Sequence, residues 1–155
     1  MAFQISRSYS IGWLHFFSNG THVTRIDFAE GPLQQELPCA LLEEAHKQMQ
    51  EYFGGNRQQF DLPLQTRGTD FQRRIWELLQ DIPFGETTSY NTMSERYGNV
   101  KAIRAVGQAI GKNPIAIVIP CHRVIGKNGA LTGFAGGLPR KKLLLDIEQR
   151  GYFTK

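Results

Sequence analysis

The run AIVIPCHRVIGKNG, residues 116–129, joins an apolar segment to a cysteine, a histidine and an arginine, with one proline between them. The 155 residues include only two cysteines and four histidines, so the adjacency of Cys121 and His122 stands out. A thiolate is a strong nucleophile, but a free thiol with pKa about 8.5 is mostly protonated at neutral pH. A neighbouring imidazole accepts that proton, directly or through a water. Such a histidine needs a third group to fix its tautomer. Glu148, one of two acids in the mostly apolar stretch LLLDIE, is the candidate. The competing reading of the dipeptide alone is a small inert core cysteine beside a surface histidine.

The residues around the dipeptide favour chemistry. Ile115, Ile117, Val118 and Ile119 read as a strand buried on both faces, ended by Pro120, which sets Cys121 at the rim of the core. Gly126, Gly129, Gly133, Gly136 and Gly137 follow within a short stretch that also holds Phe134. Such a loop exposes backbone N–H groups and admits a flat ligand. Arg140, Lys141 and Lys142 then open a last helix. Upstream, TSYNTMSERYG reads as a short helix from about Ser89, with Met93 and Tyr97 on one face and Gly98 as its stop. A second helix runs from about Lys101 to Ile110, stopped by Gly111 and Pro114. Two short helices across a glycine turn fit a helix-turn-helix and equally an ordinary helical hairpin. At 100° per residue, Ile103, Val106 and Ile110 face the core. The other side carries Ala102, Ala105 and Ala109, flanked by Lys101, Arg104 and Gln108. Small side chains allow close approach, either to a nucleic-acid groove or to another helix.

The rest of the chain positions these parts. GWLHFF and HVTRIDF around the turn SNG read as strands, LLEEAHKQMQEYFGG as an amphipathic helix, and QQFDLPL as a short strand or an extended exit. Residues 1–66 therefore form a small α/β unit. The polar LQTRGTD marks the boundary with residues 67–155, where Thr69 or Asp70 caps a helix with Phe71, Ile75, Trp76, Leu78 and Leu79 on its apolar face. His15, His22, His46 and Cys39 match no zinc-ligand spacing, so no metal and no cofactor are expected. The net charge of +4 is uneven: four Lys/Arg against seven Asp/Glu in residues 1–66, and fourteen against seven afterwards. The basic half fits a polyanionic partner. Hydrophobic content of 41% and charged content of 21% are those of a globular protein. The absence of a membrane-length apolar run and of a secretory h-region implies a protein free of the membrane, in the cytoplasm, on the nucleoid, or in the nucleus of a eukaryote.

PCHRVIGKNGALTGFAGG, with SYNTMSERYGNVKAIRAVGQAIGKNP before it and RKKLLLDIE after it, resembles the O6-alkylguanine-DNA alkyltransferases, densely over about residues 67–150. The resemblance implies an RNase H-like N-terminal α/β domain followed by a helical winged helix-turn-helix domain carrying the cysteine. It implies that Cys121 takes the alkyl group from O6 of a flipped guanine once and irreversibly, that His122 deprotonates it through a water, and that Glu148 orients His122. Tyr90 would donate to guanine N3. Arg104 would enter the duplex while Ala102 and Ala105, with Lys101 and Gln108 beside them, meet the minor groove. Asn113 would hold the turn before the cysteine. Val124, Phe134, Ala135 and Gly136 would shape the guanine pocket. Phe134 departs from the tyrosine common in the family, keeping the ring and losing a hydroxyl. The implied partner is double-stranded DNA containing O6-alkylguanine, bound by a monomer. A non-catalytic sensor of alkylated DNA and a Cys-His-Glu hydrolase are the alternatives. The first needs no reactive thiol. The second does not explain Arg104 beside an alanine face.

Overall fold

A computed structural model describes residues 2–129 and 133–150. The polypeptide divides into two compact units, one running through Arg67 and joined by Pro114–Ala116, the other comprising Gly68–Asn113 and, of the described residues, those from Ile117 to Arg150. Part of the glycine-rich loop, residues 130–132, lies outside the described residues.

In the first unit, β1 (Phe3–Tyr9), β2 (Gly12–Ser18) and β3 (Val23–Ala29) form an antiparallel meander in that order. β1 adds a strand to the two expected. Its sequence FQISRSY has one strongly apolar inward residue, Ile5, so its alternation is faint. One face of the sheet buries Ile5, Leu14, Phe16 and Ile26. Helix α1 (Ala40–Phe53) contributes Leu42, Ala45, Met49 and Tyr52, which recur at helical spacing and are buried with them. Both sheet edges are partly covered: Leu37 bridges Gln4 on β1, while Leu64 and Ile115 bridge Val23 and Ile26 on β3.

The second unit is mainly helical. Helix α2 (Asp70–Gln80) starts with a capping box, in which the Thr69 hydroxyl accepts from Gln72 N and the Gln72 side chain accepts from Thr69 N. Strand β4 (Thr88–Ser89) leads directly into α3 (Tyr90–Tyr97), N-capped by Ser89 and ended by Gly98 at φ 101°. A 3₁₀ turn at Val100–Ala102 precedes α4 (Ile103–Gly111). Helices α2, α3 and α4 pack on one another around Ile75, Leu79, Met93, Val106 and Ile110. The Trp76 indole donates to the Ala109 carbonyl at 2.8 Å. Strand β5 (Val124–Ile125) pairs in parallel with β4, and α5 (Leu138–Arg150) closes the unit.

Four expectations need correction. Ile115, Ile117 and Ile119 are buried and Val118 is half-buried, but the run forms no strand: Ile115 makes a single bridge, and Ile117 turns the chain at φ 71°. The second helix begins with a 3₁₀ turn, so Ile103 is its first α-helical residue and stands 38% exposed instead of facing the core. Ala109 is buried, because the α2 packing that holds Trp76 covers it. The last helix opens at Leu138, two residues before Arg140.

Candidate active site

The chain reaches Cys121 through a forced path. A β-branched residue at positive φ is a strained conformation costing on the order of 1–3 kcal/mol. Ile117 adopts it while only 2% exposed, so the packing around it holds the turn. Pro120, at φ −83° and ψ 64°, makes an inverse γ-turn in which Cys121 N donates to the Ile119 carbonyl at 2.8 Å. The Asn113 side-chain amide donates to the same carbonyl at 2.7 Å. Asn113 thus ties the end of α4 to the approach of the cysteine. Cys121–Arg123 then form a single 3₁₀ turn that runs into β5. The β4–β5 ribbon pairs the two segments that carry the candidate groups: Tyr90 directly follows β4, and the Cys121 turn directly precedes β5.

Under the cysteine lies a buried ionic cluster. His122 Nε2 is 2.7 Å from Glu148 Oε2. Arg123 donates to both carboxylate oxygens, Nε to Oε1 at 2.8 Å and Nη2 to Oε2 at 3.1 Å, and Nη1 to the Ile82 carbonyl at 2.6 Å. His122, Glu148 and Arg123 are 0%, 3% and 7% exposed. Burial alone would raise the Glu148 carboxyl, but the hydrogen bonds from His122 and Arg123 and the Arg123 charge hold it down at about 2. Burial lowers the His122 pKa despite Glu148, so the imidazole is neutral at pH 7. An ionised carboxylate only accepts hydrogen bonds, so Nε2 carries the proton and Nδ1 carries the lone pair. Nδ1 has no hydrogen-bond partner among the described residues. The cluster therefore presents a neutral base with its tautomer fixed from behind.

Cys121 is partly exposed but largely walled by protein. Burial pushes its thiol pKa up; a hydrogen bond from Asn113 and the charge of Lys141 act against that rise. Lys141 is 1% exposed, and its Nζ donates to the Val124 carbonyl at 2.7 Å. The pattern is a thiol at rest, with donors in place for a thiolate once the proton leaves.

Tyr90 opens α3, half-buried, with its ring over Gly107 of α4. A Cβ at Gly107 would stand 3.8 Å from that ring. Tyr90, Ser89, Asn91, Ile103 and Lys127 line a cleft of about 230 Å³. On α4 and the turn before it, Lys101, Arg104, Ala105 and Gln108 are exposed and Ala102 is half-buried. Phe134, Ala135 and Gly136 occupy the turn before α5, where Gly137 N donates to the Phe134 carbonyl at 2.9 Å; Ala135 is exposed and the other two are half-buried. Val124 is fully buried. No cluster of metal-binding side chains occurs among the described residues.

Sequence reasoning missed Arg123 and Lys141. Nothing in the order HRV marks Arg123 as buried. Lys141 did carry a signal: with Leu144 and Glu148 it falls at i, i+3 and i+7 on one face of α5, and all three are buried.

Two family models match. The 6-O-methylguanine DNA methyltransferase DNA-binding domain covers residues 70–150, and the ribonuclease-like domain of the same proteins covers residues 8–66. A methylated-DNA–protein-cysteine methyltransferase of Methanosarcina barkeri is 43% identical over 145 residues, covering 90% of this chain and 92% of its own. One from Haemophilus influenzae is 42% identical over 154 residues, covering 94% and 85%. Among solved structures, Mycobacterium tuberculosis OGT in complex with DNA superposes with a TM-score of 0.88 at 41% identity, covering 95% of this chain and 92% of that one. The O6-methylguanine methyltransferase of the same organism gives 0.89 at 39% identity, covering 100% and 97%.

Proposed function

Since the chain belongs to the 6-O-methylguanine DNA methyltransferase family, we propose that it repairs alkylated duplex DNA by moving the alkyl group from guanine O6 to Cys121. The observation that carries this reading is the buried His122–Glu148–Arg123 cluster directly behind a partly exposed cysteine. The thiol proton passes through a water to His122 Nδ1. The thiolate attacks the alkyl carbon in line; the S–C bond forms as the C–O6 bond breaks. The electron pair stays on guanine, and Tyr90 supplies a proton at N3. The proton on His122 returns through solvent to the Tyr90 phenolate, so thiol and alkylguanine become thioether and guanine. A thioether is a poor alkyl donor, so each molecule acts once.

Guanine O6 is inaccessible inside a stacked duplex, so the nucleotide must be flipped at a cost of a few kcal/mol. We assign Arg104 to the gap left in the stack. Ala102 and Ala105 let the α3–α4 pair sit close in the minor groove, with Lys101 and Gln108 toward the backbone. Phe134 lies on the base, while Val124, Ala135 and Gly136 offer backbone groups to its edge. Residues 67–155 bind DNA and transfer the group, and residues 1–66 support them. The protein works as a monomer without a cofactor.

Duplex DNA with a tritiated O6-methyl group tests this reading. Label is expected on wild-type protein and absent from Cys121→Ala, which keeps its DNA affinity. Wild-type binding without label transfer would favour the sensor instead.

A further inference from the structure

The first unit holds a second concave surface, built mostly from residues far in sequence from Cys121. A groove of about 490 Å³ is lined by Phe17, Thr24, Arg25, Gln65, Arg67 and Pro114, among others, and, among the described residues, by no carboxylate. Three chain segments build it. A bulge between Phe17 and Ser18 ends the regular β2–β3 pairing, and Phe17 sits opposite Arg25, so the two share a sheet face. Gln65 is fixed along β3 by its N–H, which donates to the Val23 carbonyl at 3.0 Å. Pro114 is fixed by its carbonyl, which accepts from Ile26 N at 3.0 Å.

The cations here differ from others of the unit. Arg7 is spent on Glu36 and Glu43, and Arg57 on Glu51. Arg25 gives only Nε to Asp27, at 2.6 Å, and keeps both terminal nitrogens. Arg67 makes no ion pair or hydrogen bond among the described residues. The Gln65 oxygen accepts from Asn19 at 2.7 Å, which leaves its amide N–H groups as donors. The Thr24 hydroxyl adds another. Beyond the one nitrogen that Arg25 gives to Asp27, these donors line the groove with no carboxylate beside them among the described residues, which suits an anion rich in acceptors. The rings of Phe17 and Pro114 give an apolar wall of the kind on which bases stack. The volume falls in the range of small-ligand pockets and exceeds what a bare inorganic anion fills.

We propose that this groove binds a nucleotide-sized phosphate ester, its phosphate between Arg25 and Arg67 and its base or sugar against Phe17 and Pro114. Two sources share that chemistry: a free nucleotide and a nucleic-acid strand.

Amide NMR shifts of the full-length protein test it, with deoxyadenosine 5′-monophosphate, deoxyadenosine, inorganic phosphate and a short undamaged duplex as probes. The nucleotide is expected to shift Phe17, Arg25, Gln65 and Arg67 saturably. The double variant Arg25→Gln/Arg67→Gln is expected to bind it at least tenfold more weakly. Both side chains are exposed, so the fold survives the change. Displacement of the nucleotide by duplex identifies a strand as the source, and the salt slope of DNA affinity in the double variant then falls by about 0.9 for each phosphate no longer neutralised. No displacement identifies a free nucleotide. The proposal is overturned by no saturable shift from any probe, by an equal response to inorganic phosphate, or by unchanged affinity in the double variant. Alkylation of Cys121 by free O6-benzylguanine, read on the same samples, is expected to be unchanged, which separates this site from the transfer reading.

Discussion

Glu148→Gln removes one charge and almost no volume from the centre of the second unit. Arg123 would remain charged and 7% exposed, with the Ile82 carbonyl and the Phe84 ring, 5.8 Å away, as its other partners among the described residues. Removing one member of a buried pair costs about 3–5 kcal/mol, because the other charge is stranded. The pKa gives a second route to the size. A carboxyl held at about 2 instead of 4.5 contributes about 3 kcal/mol at neutral pH. The folded pKa is the depressed one, so this contribution is complete above pH 4.5 and disappears as pH falls toward 2. Wild-type and variant stabilities are therefore expected to converge across that window. Urea unfolding of both proteins in a Trp13→Phe background measures this, because the buried Trp76 then reports the second unit alone. The variant also loses the fixed Nε2–H tautomer, and alkylation by free O6-benzylguanine is expected to slow by about 10²–10⁴-fold. Replacing both Glu148 and Arg123 by leucine is expected to recover stability but not rate. A loss below about 1 kcal/mol with no convergence at low pH, together with an unchanged rate, would refute the reasoning.

The remaining expectations concern separate parts. Asn113→Ala removes a hydrogen bond that lowers the Cys121 pKa, so the pH–rate profile of alkylation is expected to move to higher pH; single-turnover rates across pH measure this. Gly98→Ala forces an alanine to φ 101° with no atom within 4 Å to clash, so its cost in urea unfolding is expected to be purely backbone, about 1–2 kcal/mol. Arg104→Ala is expected to slow repair of duplex DNA far more than reaction with free O6-benzylguanine, and equal losses on both substrates would remove it from base flipping.

The site was legible where it lay in local order. Cys121 and His122 are adjacent, and Glu148 is a candidate partner by residue type; its contact with His122, across 26 residues, comes from the fold. Helix ends were legible where caps are local, as at Ser89 with Gly98 and at the start of α2, where the sequence offers Thr69 or Asp70 and the structure caps with Thr69. The run at 115–119 was not, because a buried β-branched stretch looks the same whether extended or turned at Ile117. Ile103 was misplaced because helical periodicity takes no account of where a helix starts: its register is that of a core residue, but it sits on the open first turn. Arg123 was hidden since its burial depends on groups distant in sequence, Glu148 and the Ile82 carbonyl.

Transfer of one alkyl group irreversibly to Cys121 is tested by the intact mass of the protein after mixing with duplex DNA holding a single O6-methylguanine, followed by peptide mapping. A gain of one methylene, about 14 Da, is expected on the peptide containing Cys121, with none on Cys39 and no second addition at excess substrate. Unchanged mass with DNA still bound, or modification of Cys39 instead, would contradict it.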